Sequence, residues 1–155
     1  MKHDKFHCRK TVIWILSVIY FAVLFWLLVA GRTPLYNPED FPINLTPLHT
    51  VRRYLRLLDG QQGERLRHIA VVNLLGNVGA FLPFGWLVPN LWRRMDSVLW
   101  LPAAAAVCAA AAEFVQLFTA RGVFDVDDIL LNALGAVIGF LGYRAAKTAG
   151  RRRER

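Results

Sequence analysis

The sequence predicts an all-α fold: a four-helix transmembrane bundle with a short amphipathic helix in its one long extracytoplasmic loop. Three observations predict it. Hydrophobic residues make up 55% of the 155 residues, and the mean hydropathy of +0.35 is high for a soluble domain. The apolar residues gather in four blocks, each near the length needed to cross about 30 Å of hydrocarbon. The formal charge of +8 sits in flanks between those blocks and forms no continuous basic face, which fits membrane orientation and argues against a nucleic-acid partner.

Taken in order, residues 1–10 form a basic cytoplasmic arm, 11–144 the membrane domain and 145–155 a basic cytoplasmic tail. Thr11 to Ala30 is an unbroken apolar run of 20 residues. A signal peptide usually has an apolar core of only about 7–15 residues, so an uncleaved first span at about 11–30 is expected, an anchor at the bundle edge. The outer loop covers 31–68. Within it, Thr46 is expected as N-cap with Pro47 in the first helical position. Leu48, Val51, Leu55 and Leu58 then recur at helical spacing opposite Arg52, Arg53 and Arg56, which describes an amphipathic helix lying on the membrane surface. The three arginines are candidate contacts for lipid phosphates.

The second span is expected at about 69–91, with Asn73 and Asn77 on one face, Gly76 and Gly79 open to a neighbouring backbone, and a kink at Pro83. The third, at about 98–118, is alanine-rich and carries Glu113 and Gln116 in its last turns. The fourth, at about 128–143, stacks Asp128, Asn132, Gly135 and Gly139 on one stripe. Four spans place both termini on one side, together with the Arg93-Arg94 turn. That side holds 12 of the 19 Lys and Arg residues in short segments, so both termini are expected in the cytoplasm of a multi-pass cell-membrane protein. Cys8 and Cys108 fall at different levels, and no disulfide is expected.

Orientation then gathers the scattered polar residues. Asn73 and Asn77 of the second span, Glu113 and Gln116 of the third, and Asp128 and Asn132 of the fourth all fall near the outer ends of their helices. Glu113 lies about 8 Å below the end of its helix at 1.5 Å per residue. Charged groups are costly in the bilayer and rarely stand there without partners or a task. A polar pocket opening to the extracytoplasmic side is therefore expected, with Arg121 as the nearest cation for Glu113 and Asp125 at its rim. Plainer roles stay open: Asp125 and Asp128 as helix caps, the asparagines as interhelical hydrogen bonds, Glu113 with Arg121 as a structural ion pair.

These residues resemble the VanZ-like family of small bacterial membrane proteins. Asn44-Leu45-Thr46-Pro47-Leu48 is similar to the family's outer-loop N-L-x-P-F element, with Leu48 where Phe is common. Asn73-Leu74-Leu75-Gly76-Asn77 followed by Phe81-Leu82-Pro83-Phe84-Gly85 is similar to N-x-x-x-N and F-x-P-x-G. Glu113-Phe114-Val115-Gln116 with Arg121, and Asp125-Val126-Asp127-Asp128 with Asn132 and Gly135, resemble E-x-x-Q…R and D-x-x-D…N-x-x-G. The family takes its name from a protein associated with low-level teicoplanin resistance. The resemblance implies a role at the outer side of the envelope and brings neither reaction nor cofactor.

The leading expectation is a pocket binding a lipid headgroup or a lipid-linked envelope component, with membrane lipids, a cell-wall precursor or a lipoglycopeptide as partners. A membrane enzyme using Glu113 and Asp128 in acid–base chemistry on a headgroup is the alternative. A structural subunit of an envelope complex, docking partner helices, is the third. No cofactor and no metal are expected: the four histidines show no ligand spacing. Nor does the sequence hold a Ser-His pair or a Cys with a base, so no catalytic residue is assigned.

Overall fold

The computed structural model describes residues 2–29, 43–58, 63–119 and 123–153. Within them lie α1 (Lys2–Val29), α2 (His49–Leu58), α3 (Glu64–Leu91), α4 (Trp100–Phe118) and α5 (Val126–Arg153). Four of these, α1, α3, α4 and α5, are long and apolar enough to cross a membrane. The protein is all-α and multi-pass, as its apolar blocks predict.

The helices outrun the apolar blocks. Helix α1 continues back through the basic arm to Lys2, α3 begins five residues before Ile69, at Glu64, and α5 carries on through the tail to Arg153. The reason is that lipid sets where apolar residues must lie, whereas a helix stops only at a breaker. No Gly or Pro stands between Lys2 and Val29, and between Gly142 and Gly150 the residues are mostly good helix formers. In the opposite direction, α4 starts at Trp100, after a 3₁₀ turn over Arg93–Met95.

Between helices already in lipid, burying apolar surface gives little drive, so close packing must supply it. The central contact is between α3 and α5, which run parallel, and it is made through three glycines. A Cβ on Gly135 would overlap the Val78 carbonyl, on Gly139 that of Leu82, and on Gly85 that of Ala136. The expectation for Gly76 and Gly79 is corrected: an added Cβ there meets nothing within 4 Å among the described residues, because both lie on an exposed side of α3. Around the glycine crossing pack Phe81, Phe84, Val88, Leu101, Ala105, Ala109, Ala136 and Phe140. The alanines of α4 let it lie close against this core.

Helix α1 is the edge anchor. Most of its apolar side chains are exposed, Val18, Phe25 and Trp26 among them, as suits contact with lipid. Its polar residues mark the side that packs. Ser17 is buried and donates to its own helix at Ile13 O (2.7 Å), while the Tyr20 hydroxyl donates to the Ala80 carbonyl of α3 (2.9 Å). That contact lies just before Pro83. Helix α3 runs through Pro83 and Pro89 as one element, each proline removing one donor from the helix ladder.

Helix α2 packs differently from its expected stripe. Tyr54 and Leu57 are its buried residues and meet Ala70, with Leu58, Leu66 and Leu74 around them. Leu48 and Leu55 are exposed. At 100° per residue Leu55 sits on the flank between the packed face and the arginines, where a helix on a membrane surface would turn toward lipid, and Leu48 stands just before the helix.

Candidate functional site

The first turn of α5 is where four helices and two short extended segments converge. Ile43–Asn44 (β1) pairs in parallel with Phe124–Asp125 (β2), Ile43 opposite Phe124 and Asn44 opposite Asp125. This bridge ties the segment before α2 to the start of α5. Three aspartates follow at 125, 127 and 128, and each points to a different partner.

Asp127 is fully buried and serves the other helix. Its Oδ1 accepts from the Leu48 N–H (2.5 Å), and its Oδ2 from those of Thr50 (2.7 Å) and Val51 (3.1 Å). The first N–H groups of a helix have no partner within it, and its N-terminus favours negative charge. Asp127 therefore caps α2 from a site 77 residues further along the chain than Thr50. This corrects the expectation that Thr46 is the N-cap and that the helix starts at Pro47. The Thr46 N–H instead donates to Asn44 Oδ1 (3.1 Å), and Leu48 takes a left-handed backbone with φ 63° before α2 begins at His49. Such a conformation costs a non-glycine residue about 1–2 kcal/mol. Three charge-assisted bonds to Asp127 offset it.

Asp125, also buried, is the local cap and a strap. Its Oδ1 accepts from the Asp127 N–H (2.9 Å), closing the start of α5, and from Asn44 Nδ2 (3.2 Å). Its Oδ2 accepts from Thr50 Oγ1 (2.5 Å), which in turn accepts from Asn44 Nδ2 (3.0 Å). The Asp125 N–H donates to Glu113 Oε2 on α4 (3.3 Å). Asp128 accepts from Asn77 Nδ2 on α3. Helical side chains lean toward the N-terminus, so Asn77 reaches up its own helix to meet Asp128.

Of the residues singled out from sequence, Asn77, Glu113, Gln116, Asp125 and Asn132 are buried, with Asn77 at 0% and Glu113 and Asn132 at 2% exposure. Hydrogen bonds join Asn77 to Asp128 and Glu113 to the Asp125 backbone. Gln116 lies three residues after Glu113, on the same side of α4. Asn73 stands apart, its Nδ2 bonded to Ile69 O of its own helix (2.8 Å). Arg52, Arg53 and Arg56 are exposed on α2. Arg121 lies outside the described residues.

Asn132 is the exception to the general satisfaction of these groups. Its Oδ1 is buried and accepts no hydrogen bond from the described residues. In the sequence, Asn44 and Asp127 stand out only as members of family-like motifs, with no site role, and Thr50 not at all. The signals present were an Asn two residues before Thr46-Pro47 and an additional carboxylate beside the N-terminus of α5, but nothing local pairs them.

Among the described residues, no group of three or more His, Cys, Asp or Glu side chains is placed to hold a metal ion. Fold and geometry together define a multi-pass membrane protein with a buried cluster of carboxylates and amides at one end of its bundle. The VanZ/LLP1 family model matches residues 12–147, and the chain belongs to that family. It is similar to Protein VanZ of Enterococcus faecium, 25% identical over 135 residues, covering 83% of this chain and 70% of that protein. No solved structure matches it significantly.

Proposed function

We propose that this VanZ-family protein binds the headgroup of a lipid, or of a lipid-linked cell-wall precursor, in the polar cluster at the start of α5, and that this binding lowers susceptibility to glycopeptides such as teicoplanin. In this reading the cluster faces the extracytoplasmic side, with both termini in the cytoplasm and the arginines of α2 on lipid phosphates. The single observation that carries it is the Asn132 carbonyl oxygen, buried without a donor among the described residues, one helical turn beyond the Asp128 that Asn77 binds. An unsatisfied buried acceptor costs about 1–3 kcal/mol, and a hydroxyl or amide N–H of a headgroup relieves that cost.

The test is teicoplanin susceptibility in cells expressing the chain or its variants, with membrane insertion checked by fractionation. Wild type raises the inhibitory concentration. Asn132→Leu removes the acceptor, and Glu113→Gln removes a charge while keeping an acceptor for the Asp125 N–H; both insert and lose the effect. Full protection by Asn132→Leu would sink the reading. A reporter fused after Arg155 is active only in the cytoplasm, and activity outside would reverse the assigned sides.

A further inference from the structure

The opposite end of the bundle carries a different set of groups. There α1, α3 and α5 part to leave a cleft of about 420 Å³, within the size range of small-molecule sites. Its walls are Ile13 of α1, Trp86 and Asn90 of α3, and Tyr143, Lys147 and Arg151 of α5. The last three are spaced by four residues, so they form one ladder along α5 that starts aromatic and ends cationic. Ala146 and Gly150 lie beside that ladder and also line the cleft; their small side chains leave it open.

We propose that this cleft binds an anionic phospholipid, with the phosphate between Lys147 and Arg151 and the upper acyl and glycerol region against Trp86 and Ile13. Charge favours an anion. Among the described side chains, the acid bound to a residue of the cleft is Asp96, engaged by both Arg144 (3.1 Å) and Lys147, so the pair of cations outweighs it before Arg151 is counted. Arg144 and Lys147 also lie over the Phe140 and Tyr143 rings, at 4.9 and 5.4 Å from the ring centres, which holds their stems along the helix surface. Position favours a lipid over a free ion. The cleft lies between membrane-spanning helices, where the apolar side chains Ile13 and Trp86 meet the cationic rungs. Aromatic and long basic side chains settle at that depth, near the headgroups. Asn90 turns its Nδ2 to the Trp86 carbonyl (2.7 Å), which presents its Oδ1 as the acceptor for a headgroup hydroxyl such as that of phosphatidylglycerol.

The experiment is native mass spectrometry of the full chain in neutral detergent, with phosphatidylglycerol, phosphatidylcholine or inorganic phosphate added. One phosphatidylglycerol is retained at least about five-fold better than phosphatidylcholine, the preference expected of one basic residue for an anionic over a zwitterionic headgroup. Arg151→Gln with Ala146→Phe abolishes that preference, and Arg151→Gln alone, on an exposed residue, lowers it by about two-fold. Arg151→Lys keeps it, and so does Arg152→Gln, which removes an equal charge outside the cleft. Equal retention of the two lipids overturns the proposal, as does an unchanged preference in the double variant. Loss in Arg152→Gln equal to that in Arg151→Gln reduces the effect to general basicity and overturns the site. Full displacement of the lipid by millimolar inorganic phosphate overturns the choice of a lipid.

Discussion

The two ends of this bundle use the same residue type in opposite ways. Asp127 is fully buried and accepts three backbone N–H groups from a helix remote in sequence. Asp96 stands at the surface between Arg144 and Lys147. The first answers an obligation that the backbone cannot meet otherwise, since the first N–H groups of a helix have no acceptor within it. The second joins groups that water already solvates well. One carboxylate thus holds architecture, and the other trims it.

Substitutions graded by expected effect sharpen that contrast. Gly139→Leu, in the crossing both ends share, should be the most damaging, because its side chain meets the Leu82 carbonyl rather than a movable side chain. We expect no stable bundle, seen as aggregation on detergent extraction; a monodisperse variant melting like wild type would refute the packing account. Asp127→Ala should cost about 3 kcal/mol by stranding buried donors. Hydrogen exchange should then show α2 amides opening while those of α3 stay protected. Uniform protection would mean α2 is held by Tyr54 and Leu57 alone. Thr50→Val should cost about 1–2 kcal/mol, the worth of its hydroxyl between Asn44 and Asp125.

Asp96→Asn should cost less than about 1 kcal/mol and lose most of that difference in high salt, as exposed ion pairs do. Its pH response follows from the Lys147 ammonium, and then Arg144, holding the Asp96 carboxyl below its ordinary value of 3.8, against a partial opposing effect of burial. A depressed carboxylate stabilises the fold at pH values above its unfolded pKa, and that contribution fades as pH falls through the lower folded one. Wild type and Asp96→Asn should therefore differ by a constant amount from pH 7 to 5 and converge only below about pH 4. Convergence already at pH 6 would assign the effect to another group.

What could be read from the chain, and what could not, divides along range. Four apolar blocks were enough for the spans, because the bilayer imposes their length. The helices run past those blocks for the same reason: hydropathy sees lipid, and Glu64 or Arg153 can be helical outside it. Glu113, Asn77 and Asn132 stood out because polar groups are rare in such surroundings. Asp127 did not, since its partners are the N–H groups of Leu48, Thr50 and Val51, and a backbone donor leaves no trace in residue identity. Leu48 likewise gives no hint of its left-handed φ, which the tertiary cap imposes. Among the glycines, small size was visible everywhere, but only the crossing angle decides that Gly85, Gly135 and Gly139 meet a neighbour while Gly76 and Gly79 do not.

The distance in sequence between α2 and its cap also orders events in biogenesis. Synthesis runs from the N-terminus, so α2 leaves the ribosome long before Asp127, which follows Thr50 by 77 residues. Until the final span threads into the membrane, α2 lacks the cap for its first turn, and the docking of the loop that carries it becomes the closing act of assembly. A nascent chain arrested before α5 should leave that loop open to proteases, and one extended through Arg153 should protect it.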